Sequence, residues 1–370
     1  MIVAIDYTPA LRQRAGIGRF VRELVAAVLR ARAEIEIRLV VSRDSPGATP
    51  PAIPVVRLPF SEKLSLFLWN VLGLPLPIER FTGPIDVFHG TNFLLPALRR
   101  AKGVVTVHDL TFLIHPEFAD ARNVRFLRRA VPHSIRRAAA ICADSSATKE
   151  DLQRLLGLPG GRITVVRGGV DQRFRPAAPE ELVRLRGRYP VERPYLFALG
   201  TREPRKNLAG LLDAFRIVRD RGIEVRLLIA GPAGWREEAF AAHLDASPYA
   251  GEVLALGFVP DDDLPALLTG CACFVYPSFY EGFGLPVAEA LACGAPVVCS
   301  NTSSLPEVAG AAALLVPPGD PQAIADAICA VLRDQALAER LRAAGPPQAA
   351  QFDWELSARA QIAVYRQAAG

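Results

Sequence analysis

What this chain of 370 residues lacks narrows its class before any motif is read. It has six cysteines but no CxxC pair and no histidine beside them. Cys271, Cys273 and Cys299 sit in apolar runs, which argues against a disulfide framework or a zinc site and for buried reduced thiols. It lacks an apolar run long enough to span a bilayer. The longest, residues 64–78, falls short of the roughly 20 residues required and contains Gly73, Pro75 and Pro77. The opening MIVAID has no basic region before it, so no leader peptide is expected and the reading is cytoplasmic. No basic, aromatic-rich module for nucleic acid is visible, although the formal net charge is +5. The positive excess lies before Arg175 and the acidic excess after it, which suggests two domains with different partners. The length points to two domains as well.

What is present is an alternation of short apolar runs with helical patterns, and it occurs twice. The first half places strands at 2–5, 39–42, 55–58, 86–88, 104–107, 139–143 and 163–166. The second places them at 195–199, 225–230, 253–256, 273–276, 297–299 and 313–316. Such alternation predicts α/β architecture with parallel sheets and crossover helices. The expected organisation is an N-terminal Rossmann-like domain over 1–172, a linker with a helix over 173–194 and a C-terminal Rossmann-like domain over 195–352. A final amphipathic helix within 353–370 is expected to cross back to the first domain.

The stretch FYEGFGLPVAEALACGAPVV, residues 279–298, sets two glutamates around a Gly-Phe-Gly loop. Residues 271–276 form an apolar run of strand length, ended by Pro277. Pro286 is expected at the first helical position, where its missing N–H is not needed, and Gly294 in the left-handed conformation that closes the helix. Glu281 therefore lies in a loop and Glu289 on a helix, both at the C-terminal edge of a parallel sheet, where open α/β sheets bind ligands. Carboxylates in such a place accept hydrogen bonds from hydroxyls, and a vicinal diol suits one. The turn GTREPRKNL, residues 200–208, supplies the complement. Asn207 is a good N-cap, and Arg205 and Lys206 precede it. A helix N-terminus with two cations is an anion site that fits a diphosphate, with a solvated basic loop as the bland alternative. The N–H groups of Gly284 and Leu285 are expected to face the same place. A diphosphate between two polyols, as in a sugar nucleotide, would use all of these groups.

At this point the sequence resembles a known family. EGFGLPVAE looks like the E-x7-E motif of retaining GT-B glycosyltransferases in glycosyltransferase family 4, and GTREPRKNL resembles their phosphate loop. GIGRF (16–20), VVTVHDL (104–110) and GGVD (168–171) resemble the first-domain motifs in the same order, so the match covers essentially the whole chain. HGTNFLLP, VVTVHDLTF and EPRKNL are most similar to the bacterial mannosyltransferase-B-like group. The resemblance implies the GT-B fold, two Rossmann-like domains facing a central cleft. It implies that Glu289 binds the ribose hydroxyls, Glu281 the transferred sugar, and Arg205 and Lys206 the leaving diphosphate. Phe283, Gly284 and Leu285 would offer backbone groups to sugar and phosphate, and the base would lie near Gly231 and Val259. Many members of the family carry an arginine directly after the glycine of the phosphate loop. Here Thr201 stands there, with Arg202 or Arg205 in the role.

On the first-domain side, Gly16 and Gly18 superficially evoke a dinucleotide fingerprint, but ten residues separate Asp6 from Gly16 and the third glycine is absent. A glycine pair approaching a donor phosphate, or a plain turn, fits better. His108 ends an apolar strand; the resemblance implies that it contacts the transferred sugar, whereas an isolated histidine is more often structural. His89 and Asp109 are read as lining the acceptor pocket. Arg122, Arg125, Arg128, Arg129, Arg136 and Arg137 crowd a segment that would dock on anionic lipid or be a solvated face broken by Pro132. Asp261 and Asp263 spell DxD, read as helix capping rather than a metal site. The implied reaction moves a hexose, mannose from GDP-mannose being favoured, to a saccharide or lipid-linked acceptor in envelope polysaccharide synthesis. It proceeds with retention and without cofactor or metal, in a protein that is cytoplasmic or peripheral at the inner membrane face. The rivals are a sugar-nucleotide epimerase of the same fold, a UDP- or ADP-sugar transferase and a non-catalytic sugar-nucleotide-binding protein.

Overall fold

Each apolar run predicted to be a strand is one. The computed structural model describes residues 1–13, 16–31, 34–47 and 53–370. The first sheet contains β1 (Ile2–Asp6), β2 (Glu36–Val41), β3 (Val55–Arg57), β4 (Val87–Gly90), β5 (Lys102–Val107), β6 (Ala140–Ala143) and β7 (Ile163–Val165). The second contains β8 (Tyr195–Leu199), β9 (Arg226–Ala230), β10 (Val253–Gly257), β11 (Cys273–Tyr276), β12 (Val297–Ser300) and β13 (Ala313–Val316). Every pairing is parallel. β2 begins before its apolar run because Glu36 and Ile37 pair in register with Ile2 and Val3, and backbone pairing does not require apolar side chains.

The strand orders are β3-β2-β1-β4-β5-β6-β7 and β10-β9-β8-β11-β12-β13. Each sheet is therefore wound outward in one direction and then in the other. Each has one switch point, between β1 and β4 in the first and between β8 and β11 in the second. At a switch point the loops leaving two adjacent strands diverge, which opens a crevice at their carboxyl ends.

The chain forms two compact units, Met1–Gly169 with Asp353–Gly370, and Val170–Phe352. In the first, Val105, Val107, Phe88 and Ile141 of the sheet pack with Leu110, Val131 and Ile135. In the second, Phe197, Leu228 and Phe274 point to one layer, and Leu196, Leu227 and Val275 to the opposite one. This is the burial on both faces that continuous apolar strands require. Residues 173–194 hold the helix Pro179–Leu185, and Phe174 and Leu185 are buried in the second unit's core, so this stretch is packed structure and not a free tether. The helix Trp354–Ala369 completes the first unit; Trp354 meets Phe20 edge-on at 5.5 Å, and Ser357 Oγ donates to the Arg167 carbonyl at 2.6 Å. Among the described residues no helix is long and apolar enough to cross a membrane.

Candidate active site

The second unit's switch point gathers the charged residues singled out above. β8 ends at Leu199, and beyond Gly200 the chain makes a single 3-10 turn over Pro204–Lys206. Asn207, in the left-handed region at φ 54°, then caps the helix Leu208–Asp220; its side chain accepts from Gly210 N and donates to the Pro318 carbonyl at 2.6 Å. β11, the neighbour of β8, ends at Tyr276, and the loop beyond it is tied to that turn. Phe279 N and Ser278 Oγ both donate to the Arg205 carbonyl, at 2.9 and 3.0 Å.

Strand adjacency thus joins Glu281 to Lys206, 75 positions away in the sequence, and to Arg205 beside it. Lys206 Nζ lies 2.6 Å from Glu281 Oε1 and Arg205 Nη1 2.7 Å from Oε2. Ser278 Oγ and Tyr276 OH donate to Oε1 at 2.6 and 3.0 Å. Burial alone would raise the Glu281 pKa, but Arg205, Lys206 and these hydrogen bonds outweigh it and hold the carboxyl at about 2. Lys206 is pulled below the ordinary lysine range, first by burial and then by Arg205, against the pull of Glu281. Its ammonium also lies 5.0 Å from the centre of the Tyr276 ring. Arg205 further contacts Glu203 Oε1 at 2.6 Å and the Tyr280 carbonyl at 2.7 Å. Two cations and two carboxylates balance here, with the carboxylates occupying positions that suit an anionic ligand.

The loop carrying Glu281 is held from below by serines that the sequence reading passed over. Glu281 N donates to Ser303 Oγ at 2.9 Å, and Ser304 Oγ donates to the carbonyls of Glu281 and Phe283 at 3.0 and 2.7 Å. The only signal was NTSS at the start of a short helix. Gly284 has φ 105°, and a Cβ there would stand 2.7 Å from Leu305 Cδ2, so the position requires glycine. It caps the helix Leu285–Ala292, which places Pro286 at the second helical position and not the first. Gly294 closes the unit at φ 68°, as expected. Glu289 is buried on that helix, and Phe283 packs edge-on against Phe352 at 5.3 Å. Val259 is a core residue near the end of β10, and Gly231 N at the end of β9 donates to the Gly257 carbonyl at 2.7 Å.

Two expectations fare differently. Arg202 does not join the cluster: its Nε bonds Glu237 at 2.8 Å and its Nη1 the Gly231 carbonyl at 2.9 Å. Of the two candidate phosphate arginines, Arg205 alone reaches Glu281. Asp263 occupies the N-cap position of the helix Leu264–Gly270, but its side chain makes no capping hydrogen bond. Its carboxylate accepts from Tyr189 OH at 2.7 Å and from Arg188 at 2.8 Å, partners no local pattern discloses.

In the first unit, β5 and β6 pair with Val107 beside Ala143, so the next residues, His108 and Asp144, come together. His108 Nδ1 lies 2.7 Å from Asp144 Oδ2 and Nε2 2.7 Å from the Thr91 carbonyl, to which only an N–H can donate. Phe20 and Phe93 present edges to the ring at 5.3 and 5.6 Å. Burial would lower the His108 pKa, but the Asp144 carboxylate and the Thr91 carbonyl outweigh it and keep it above its usual value. Asp144 is itself raised by burial, against the pull of His108. The pair thus holds its shared proton to higher pH. Both nitrogens of His108 are engaged, a restraint the sequence did not show.

His89 is not a pocket-lining residue. It is 1% exposed, with Nδ1 on Tyr365 OH and Nε2 on Thr106 Oγ1, both at 2.8 Å. Asp109 folds back to accept from Thr111 N at 2.9 Å. Gly16 precedes the helix Ile17–Arg30, and residues 14–15 of that loop lie outside the described residues. Gly18 has a packing reason for being glycine: a Cβ would fall 2.0 Å from the Gln13 carbonyl oxygen. The basic segment is one helix, Ala121–Arg137, continuing through Pro132 instead of breaking there. Arg128 donates to the Phe112 carbonyl and Arg137 to those of Leu95 and Pro96, while Arg122, Arg125, Arg129 and Arg136 are exposed. At the switch point of this sheet lies a cavity of about 330 Å³ that sequence reading did not anticipate. Asp6, Asn70 and Asn92 reach it among Trp69, Phe93 and Phe126. Burial pushes the Asp6 carboxyl up to about 6 against its hydrogen bonds with Thr8.

A doubly wound sheet with cations and a helix N-terminus at its switch point defines the class as nucleotide-binding α/β proteins. Comparison with known proteins narrows it. Residues 184–347 match the family described as glycosyl transferases group 1, and residues 14–174 that described as Glycosyltransferase Family 4. The chain is 36% identical over 282 residues to the O-antigen chain mannosyltransferase B of Escherichia coli, covering 76% of this chain and 74% of that protein. The sucrose-phosphate synthase of Thermosynechococcus elongatus superposes with a TM-score of 0.80 at 20% identity, over 99% of this chain and 98% of that one. HepE of Anabaena, in complex with UDP and glucose, does so with a TM-score of 0.76 at 20% identity, over 98% of both chains. The chain belongs to the glycosyltransferases of family 4, in the group similar to mannosyltransferase B, and has the GT-B fold.

Proposed function

We propose that this glycosyltransferase moves mannose from GDP-mannose, with retention and without a divalent metal, to a saccharide or lipid-linked acceptor in cell-envelope polysaccharide synthesis. The observation that carries the reading is the cluster of Arg205, Lys206 and Glu281. As the glycosidic bond breaks, charge grows on the departing diphosphate, and preorganised cations at that point stabilise it most. Arg205 and Lys206 take the diphosphate, and Glu281, released from them, accepts hydroxyls of the transferred sugar. Glu289 takes the ribose hydroxyls. Phe283, Gly284 and Leu285 present backbone groups, and Gly231 and Val259 flank the base. His108 acts at the transferred sugar, through Nε2 exchanging its bond to Thr91. Gly16 and Gly18 keep the backbone close to the donor phosphate. The acceptor's sugar enters the cavity of Asp6, Asn70 and Asn92. No side chain is assigned as a covalent nucleophile; the acceptor attacks on the face from which the phosphate leaves. The relation to an O-antigen mannosyltransferase supports the donor and the pathway, and the exposed arginines of the helix Ala121–Arg137 support work at the inner face of the membrane.

Thermal-shift measurements against nucleotide sugars test the donor, because a ligand that binds only the folded state raises the melting temperature. GDP-mannose is expected to give the largest shift. A larger one from UDP- or ADP-sugars overturns the donor assignment. Transfer is expected to persist in EDTA, and activity abolished by EDTA and restored by Mg²⁺ or Mn²⁺ overturns the metal-free mechanism. Interconversion of the donor sugar without acceptor or hydrolysis would identify an epimerase instead.

A further inference from the structure

Most exposed large apolar side chains of this protein are scattered singly, which needs no explanation. Between Leu64 and Leu74 they are not. Leu64, Phe67, Val71, Leu72 and Leu74 stand 39% to 55% exposed within eleven consecutive residues. They lie on the helix Glu62–Leu66, the π-helical turn Phe67–Val71 that continues it, and the residues just after. This segment is firmly seated. Ser61 caps it by accepting from Leu64 N, Glu62 N donates to Asp44, and the Glu62 carboxylate pairs with Arg12 at 2.8 Å. Trp69 is buried beneath it, with Nε1 donating to the Leu76 carbonyl at 2.8 Å. The apolar ridge is thus the outer face of an element whose inner face is already packed.

Its neighbour supplies the second half of the argument. Leu66, Trp69 and Asn70 of the ridge segment line the same cavity as Asn123, Phe126 and Leu127 of the helix Ala121–Arg137. The two segments therefore form adjacent lips of that cavity. The helix exposes Arg122, Arg125 and Arg129, and Lys63 is exposed on the ridge segment itself. The nearby carboxylates Glu62 and Asp44 are paired with Arg12, and Asp120 is engaged as the helix cap. An apolar ridge beside exposed arginines complements one surface chemically, an anionic phospholipid bilayer. Its headgroups attract the cations, and its acyl boundary accepts the apolar side chains.

We propose that residues 64–74 are a membrane-insertion ridge, with the arginines of the neighbouring helix as its electrostatic guide. The proposal deepens the lipid-linked acceptor reading and rests on it for its purpose, though not for its test. Insertion brings the cavity lips to the surface on which such an acceptor is carried. The arginines steer the approach, and the ridge holds the protein there.

The test is cosedimentation of the full chain with vesicles of phosphatidylcholine alone and of phosphatidylcholine with phosphatidylglycerol. The protein is expected to bind the anionic vesicles and to bind neutral ones far less. A Phe67→Glu/Leu72→Glu variant, altered only at exposed positions, is expected to lose about tenfold or more in partitioning even at low salt. An Arg122→Gln/Arg125→Gln/Arg129→Gln variant is expected to weaken binding mostly at low salt, where the wild type gains most from charge. Leu356→Glu, at an exposed apolar site on another helix, is expected to bind as the wild type does. Absence of binding to either vesicle, or equal binding by the Phe67→Glu/Leu72→Glu variant, overturns the proposal. So does a self-associating wild type that the same variant makes monomeric, since the ridge would then be a protein interface. Thermal shifts by GDP-mannose on the same samples keep the two readings apart. A variant that loses vesicles and keeps the shift supports the ridge, and a wild type without the shift sinks the donor reading alone.

Discussion

His89 in β4 and His108 just beyond β5 sit at the ends of neighbouring strands, both buried and both with each ring nitrogen hydrogen-bonded. Their chemistry diverges because their partners do. His89 meets two hydroxyls, of Tyr365 and Thr106, and burial, with a smaller contribution from His108, drives its pKa down to about 3. His108 meets a carboxylate and a carbonyl, and its pKa rises. Depth is the same, so partner identity decides the charge. Glu281 in the second unit follows the same rule from the acid side, ionised under burial because Arg205 and Lys206 are there. Neutral buried polar groups serve packing, whereas a buried charge held by a partner can be redirected toward a ligand.

Lys206→Ala bears on the strongest form of that contrast. Turnover is expected to fall about 10²- to 10³-fold, the scale for losing one preorganised donor to a developing anion, with the thermal unfolding transition still cooperative. His108→Ala is expected to lower kcat by about 10²-fold with little change in donor KM, whereas His89→Ala keeps turnover per folded molecule. An equal loss of kcat in both histidine variants would erase the distinction between them.

Stability separates the pairs next. Asp144→Ala strands a buried histidine that held a charge, and urea denaturation is expected to show a loss of about 3 kcal/mol or more. Tyr365→Phe removes one neutral partner of His89 and is expected to cost about 1 to 2 kcal/mol. The reverse order would mean that the His108–Asp144 pair is held weakly. The two histidines also separate in pH dependence. The unfolded chain takes up a proton at His89 near its ordinary value of 6.5, and the folded chain only near 3. Stability through His89 therefore declines as pH falls across that window. His108 has the opposite sign: its contribution is full below its ordinary value and is lost as pH rises through its raised folded value. Melting temperatures measured from pH 4 to 9 are expected to flatten on the acid side in His89→Gln and on the alkaline side in His108→Gln.

The strands were legible because parallel sheets covered on both faces need continuous apolar runs, and runs such as CFVY and VVCS have few other uses. The cluster at Glu281 was legible in part, since Gly284 and Asn207 mark the turns that carry it. Its pairing was not, because it depends on β8 and β11 becoming neighbours across 75 residues. Asp144 was missed for the same reason, as nothing in ADSSAT reports that β6 lies beside β5. Asp263 was misread because a local rule, capping, competed with Tyr189 and Arg188 arriving from elsewhere in the second unit. Local chemistry is written locally, and register is not.

The helix Trp354–Ala369 gives the protein an order in time. During synthesis the residues of the first sheet emerge from the ribosome before any of the second unit, yet their unit is completed by a helix translated only after residue 352. Until then His89 has no Tyr365 and Phe20 no Trp354 to pack against. The second unit, continuous from Val170 to Phe352, has its whole sequence available earlier. The half made first is the half finished last, and a ribosome that stalls or terminates early near residue 353 releases a chain whose second unit is complete and whose first is not.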